Sequence, residues 1–134
     1  MLLVKTSVKP SMIEGMGLFA GQKIPKGTIT WRFNPRFDLV FDKTELENMP
    51  EIQRSLIHSH AYFSKEIKKY IYCADDARFI NHSVNNNVDC VGSQTGVEGY
   101  DVANKDIEIG EEITMNYRQF DAYDENSKEE YLNK

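Results

Sequence analysis

The chain has too little cysteine to be a stapled or metal-held domain. Cysteine occurs twice in 134 residues, at Cys73 and Cys90. Two thiols cannot make a disulfide framework or a tetrahedral zinc site by themselves. No metal site is expected, and reduced thiols fit an intracellular, cytoplasmic protein, with nuclear or host-directed placement left open. No apolar run approaches the roughly 20 residues that span a bilayer. Met1 to Val4 is apolar, but Lys5, Lys9 and Pro10-Ser11 end it, so no secretory leader is expected. The triplet Asn81-His82-Ser83 therefore carries little weight as a glycosylation site. Basic residues are outnumbered, 16 Lys+Arg against 21 Asp+Glu, for a net charge of −5. That balance disfavours nucleic-acid binding through a broad basic surface. It suits a basic partner, and it is also an ordinary surface charge for solubility. Repeats, low-complexity linkers, a Walker loop, a nucleophile elbow and Cys–His zinc spacing are all missing.

What is present is ordinary globular composition, 40% hydrophobic and 28% charged, in a length that suits one domain. The first third reads as strands: Leu3 to Val8, Gly17 to Ala20, Thr28 to Phe33 and Asp38 to Phe41, broken by Pro10, Pro25 and Pro35. The middle is helical. Thr44 with Glu47 has capping-box spacing, and Pro50 suits the first turn of a second helix. Ile52, Leu56, His60 and Phe63 recur at helical spacing as a packed face, with His58 exposed. Lys69 to Ala74 reads as a strand with Tyr70 and Tyr72 on one side and Ile71 and Cys73 on the other. Val88 to Gly92, Gly99 to Ala103 and Ile113 to Tyr117 follow as strands, with Gly92 and Gly96 as punctuation. Asp124 to Lys134 is polar, and Ser127 with Glu130 marks a frayed helix. Many short strands with one helical stretch predict a mostly β, α+β domain.

Three short segments stand out. Gly15-Met16-Gly17 lets the backbone approach a ligand or take positive φ, though alone it reads as a plain turn. Arg78-Phe79-Ile80-Asn81-His82-Ser83 offers donors and acceptors ahead of an Asn-rich turn. Gly110-Glu111-Glu112-Ile113-Thr114-Met115-Asn116-Tyr117 is a turn running into a strand. Taken alone, Tyr117 is core filler with a tethered hydroxyl. Glu111 and Glu112 are adjacent, point to opposite sides, and read as a solvated turn.

In this order the three segments resemble the SET domain of protein-lysine methyltransferases, small stand-alone bacterial or viral members in particular. The matching pieces are Gly15 to Ala20 with Ile24-Pro25-Lys26-Gly27, then Arg78 to Ser83 with Asn87, then Asp106 to Thr114 with Asn116-Tyr117. The resemblance implies one domain over 1–120, a helical insertion at about 43–66, and a tail over 121–134. It implies a β-clip fold of small antiparallel sheets with a knot-like C-terminal core. It implies S-adenosylmethionine as cofactor, cradled by the backbone of Gly15, Met16 and Gly17 and held by Asn81 and His82. Tyr117 becomes the catalytic residue. Phe33 falls at a channel aromatic of the family, with Trp31, Cys90 and Met115 as further channel candidates. The partner is a protein or peptide bearing a lysine, with no nucleic acid and no membrane. Val84 and Asn86 stand where the family often has cysteine and proline, and no cysteine cluster follows Tyr117. Phe120, Tyr123 and Tyr131, or a second subunit in a homodimer, are then the candidates for closing the channel. The competing readings are a weak or inactive module that binds S-adenosylmethionine or a peptide, and a structural β domain with chance motifs.

Overall fold

A computed structural model describes residues 1–93 and 97–134. Gly96 lies outside the described residues. Strands β1 (Thr6–Pro10) and β2 (Met16–Ala20) form an antiparallel hairpin from Thr6↔Ala20 to Pro10↔Met16. Gly15 sits in its loop at φ +44°, a conformation that suits glycine. Next come β3 (Ile29–Arg32), β4 (Asp38–Phe41), α1 (Lys43–Glu47) and α2 (Glu51–His60). Then follow β5 (Tyr62–Phe63), β6 (Tyr70–Cys73), β7 (Asn81–His82), β8 (Val88–Val91), β9 (Tyr100–Ala103) and β10 (Glu112–Met115).

Two sheets result. The larger runs β1-β2-β10-β8-β9-β3, with β7 also on β10, and the smaller runs β4-β6-β5. Most pairings are antiparallel, but β10 runs parallel to β7 and to β8. The last strand therefore lies between segments from both halves of the chain. Leu18, Ile24, Val88, Ile107 and Ile113, each at most 1% exposed, fill the core beneath it. A second cluster of Trp31, Ile71 and Cys73 joins the two sheets. The alternation expected for Tyr70 to Cys73 is observed, with Ile71 and Cys73 buried.

The helical stretch departs from its sequence reading. Asp42, not Thr44, caps α1, in a reciprocal box with Glu45. Ile52 is 82% exposed and Leu56 52%, while Ile57 is the buried residue of α2. The inward face is decided by the β4-β6-β5 sheet on which α2 rests, which the helical period alone does not reveal. His58 is exposed and His60 half-buried, as the pattern suggested. The C-terminal segment forms a 3₁₀ turn, Glu130–Asn133, begun at Glu129 rather than at Ser127. Leu132 within it is 1% exposed.

Candidate active site

The parallel pairing of β7 with β10 brings the second and third motifs side by side, Asn81 opposite Thr114 and His82 opposite Met115. Tyr117 follows immediately. Its backbone N–H donates to His82 Nδ1 at 3.1 Å, and its phenol donates to the Ile80 carbonyl at 2.6 Å. A His82 Nδ1 that accepts assigns the ring proton to Nε2. Burial lowers the His82 pKa, so the ring stays neutral near neutral pH. Burial also pushes the Tyr117 phenol well above its usual range.

The first motif is tied to the second by one side chain. Asn81 Nδ2 donates to the Glu14 carbonyl at 3.1 Å, the Met16 carbonyl at 3.2 Å and Glu112 Oε1 at 3.0 Å. Glu112 also accepts from Ser11 Oγ at 2.7 Å. The reading of Glu112 as part of a solvated turn is therefore corrected: it sits on β10 and ties the hairpin loop to Asn81. Gly17 is needed for the same reason, since a Cβ there would collide with the Glu112 carboxylate.

Two hollows meet at Tyr117. The smaller, about 340 Å³, is lined by Gly15, Met16, Phe79, Ile80, Asn81 and Tyr117, among others. The larger, about 370 Å³, contains Trp31, Tyr62, Cys90, Met115, Tyr117 and Phe120 in its walls. Ser59, His60, Arg78 and Ile80 also border both. Of the sequence candidates, Gly15, Met16 and Asn81 line the first hollow, and Trp31, Cys90 and Met115 the second. Gly17 and His82 line neither and stand behind the walls. Phe33 packs against the Trp31–Ile71–Cys73 cluster and is not among the walls. The smaller hollow fits the methionine end of S-adenosylmethionine. Nothing lies within 4 Å of where a Gly15 Cβ would be, and Glu14, Gly15 and Met16 all line the hollow.

The larger hollow holds residues that the motifs did not single out. Glu98 and Asp101 are 9% and 7% exposed. Asp101 sits on β9 on the same side as buried Ala103; alternation marks that side of the strand, and the packing of β3 and β8 on either flank is what buries it. Tyr62 packs edge-on against Phe120 at 5.0 Å, and Phe120 against Tyr117 at 5.6 Å. Tyr131 closes one side, 6.1 Å from the His82 ring. Tyr123 does not reach the hollow and packs on Phe63 at 5.0 Å. A separate trio, Asp38, Cys73 and Asp75, has ligand atoms within 4.8 Å of one another. Its carboxylates are already used by the Met1 ammonium and the Leu2 N–H, each at 2.7 Å.

A family model described as the SET domain matches residues 15–118. The chain belongs to the SET-domain family. Members are protein-lysine methyltransferases, and the mostly β architecture with its curled sheets is the SET fold. Among curated protein sequences none matches. Among solved structures, this SET domain is similar to a candidate histone methyltransferase of Plasmodium falciparum, with a TM-score of 0.58 and 16% identity, over 85% of this chain and 93% of that one. It is also similar to a humanized mutant of the Chaetomium thermophilum Polycomb Repressive Complex 2 bound to an inhibitor, with a TM-score of 0.62 and 21% identity. That match covers 87% of this chain and 15% of the other.

Proposed function

We propose that this SET domain is an S-adenosylmethionine-dependent methyltransferase acting on a lysine side chain of a protein substrate. The observation that supports it is the pair of hollows that share Tyr117 as a common wall. Such an arrangement would let a cofactor in one hollow and a lysine in the other both reach Tyr117. When bound, S-adenosylmethionine supplies an electrophilic methyl group. Gly15, Met16 and Asn81 would hold its amino-acid end, and Gly17 and His82 would keep those walls in place.

The chain's own work is orientation and dehydration. Free lysine has a pKa near 10.4 and is mostly protonated at neutral pH. A dry channel favours its neutral, nucleophilic form. Tyr62, Phe120 and Tyr117 supply apolar walls for the lysine stem. The Tyr117 phenol donates to Ile80, so its oxygen remains able to accept an N–H from the substrate amine. That contact would fix the orientation of the amine nitrogen, which is the positioning contribution to rate. A phenol held neutral by burial orients rather than acts as the base.

The test pairs two measurements. Calorimetry should show the chain binding S-adenosylmethionine, and a labelled methyl group should appear on lysine in a protein lysate. Tyr117→Phe should cut transfer roughly 10²-fold or more while the cofactor Kd stays near the parent value. Binding without any transfer would leave only a cofactor-binding module, and a fully active Tyr117→Phe variant would remove the assigned role.

A further inference from the structure

Three strands carry a buried acidic wall into the larger hollow. In the sheet register Asp101 on β9 stands between Trp31 on β3 and Cys90 on β8. All three line the hollow together with Tyr62, Glu98 and Tyr117. A channel that only had to sheathe an alkyl stem would need no carboxyls there, because buried charge without a partner is costly. The Cys90 thiol stands against Asp101 and offsets part of the rise in its pKa, and Gly99 N–H donates to Glu98 Oε1 at 2.9 Å. These contacts leave the wall incomplete. Trp31 Nε1 and Glu98 Oε2 are buried with no hydrogen-bond partner among the described residues, on residues only 4% and 9% exposed, although the Ser64 and Tyr62 hydroxyls stand close enough to the Glu98 carboxyl to offset part of the rise in its pKa that burial causes. Buried polar atoms in native proteins are normally paired. An unpaired acceptor beside a second carboxylate, in a cavity of this size, fits a guest that brings N–H donors.

We propose that Asp101, with Glu98 beside it, receives the substrate amine and takes the proton that the lysine ammonium must lose. This rests on the methyltransferase reading above. One N–H bond of the ammonium breaks and one O–H bond forms on the carboxylate. The lysine becomes a neutral amine with a free lone pair, and Asp101 becomes a carboxylic acid. Tyr117 is poorly placed for this, since its phenol already donates its proton to Ile80.

The wall also makes Asp101 basic enough. An ordinary carboxylate lies about six pKa units below lysine. Burial first, then the Glu98 and Asp38 charges, push Asp101 up to about 8, against the Cys90 thiol and the Met1 ammonium, which pull it down. Tyr62, which also faces Asp101, is kept neutral by burial, and Glu66 acts on the neighbouring Glu98 and Cys90. A base with a pKa near working pH is the efficient kind. The same wall biases the product. Each added methyl removes an N–H donor and leaves a buried carboxyl oxygen unpaired, so the first methyl is favoured over later ones.

Trp31 is the single tryptophan of the chain, so its emission reports on this wall. The experiment titrates n-butylammonium into the full chain and follows Trp31 fluorescence, for the parent, Asp101→Asn and Glu98→Gln. Methyl transfer by the same three proteins is then measured from roughly pH 6 to 10. The parent should show a saturable fluorescence change, and Asp101→Asn should weaken it at least tenfold. Parent transfer should rise through about pH 8. Asp101→Asn should lose roughly 10²-fold near that pH and recover toward the pKa of lysine itself. Asp101→Asn with the parent's amine affinity, or with the parent's pH profile, would overturn the proposal. A parent that binds the amine but transfers no methyl would overturn the methyltransferase reading and the base role, while the amine site would stand. If Asp101→Asn does not fold, Glu98→Gln must still weaken amine binding, and parent-like affinity there overturns the site.

Discussion

Gly17 has no room for a side chain because Glu112 fills the space, and a Cβ there would also stand 3.0 Å from Ser11 Cβ. Gly15, two residues earlier, has open space but sits at φ +44°. The two glycines therefore fail differently when replaced. Gly17→Ala should cost about 1–3 kcal/mol by overpacking and pull Asn81 away from Glu112. Gly15→Ala should cost about 1 kcal/mol by backbone strain alone. Thermal melts check both, and adding Glu112→Ala should relieve the first substitution and leave the second unchanged. Asp101 gives a second residue-scale prediction. Its folded pKa lies above its ordinary value of 3.8, at about 8. Between those values the folded state binds more protons than the unfolded one, so stability is lost as pH rises through that window. Asp101→Asn should therefore gain stability over the parent from about pH 4 upward, with the gap levelling above about 8. Denaturant unfolding across that range reads the difference.

At the scale of elements, the C-terminal segment is built into the site wall. Arg118 Nη1 donates to the Asp124, Glu125 and Ser127 carbonyls at 3.0, 3.4 and 2.7 Å. Lys65 pairs with Glu125 at 2.6 Å, and Tyr131 donates to Asp124 at 3.0 Å. Leu132 anchors the 3₁₀ turn in the interior. Leu132→Ala should cost about 2–5 kcal/mol as a core truncation. Because the turn carries Tyr131 against His82, that variant should also expose residues 121–134 to limited proteolysis before the rest unfolds. Helix α2 behaves in the opposite way. Ile52 and Leu56 face solvent, so polar substitutions there should stay within about 0.5 kcal/mol of the parent, whereas truncating Ile57 should not.

Over the whole molecule, a chain of net charge −5 presents a hollow walled by Glu98, Asp121 and Asp124, to which Asp101 adds a charge only above about pH 8. Opposite charge raises the encounter rate with a cationic partner, and salt screens it over about 10 Å at 0.1 M. For a lysine-rich protein substrate, kcat/KM should fall as ionic strength rises, while kcat at saturation changes little. A salt-independent kcat/KM would show that the acidic walls do not steer the partner.

Strand positions, the alternation of Tyr70 to Cys73, and the three ordered motifs were legible because each is set by neighbours within a few residues. Turn residues punctuate the chain, a period of two sorts strand faces, and the Asn-His pair and its following tyrosine are short local patterns. The face of α2, the cap on α1 and the place of Phe33 were not legible, since each depends on which distant surface is packed against it. The same holds for the working parts of the site. Glu112 reads as a solvated turn until Asn81 and Ser11 arrive from elsewhere in the chain, and Asp101 becomes a buried base only between Trp31 and Cys90. Sequence by itself determined the chemistry available and the family to which it belongs. Tertiary structure alone decided which carboxylates leave water, because burial is a property of the assembled sheets and burial is what changes their affinity for a proton.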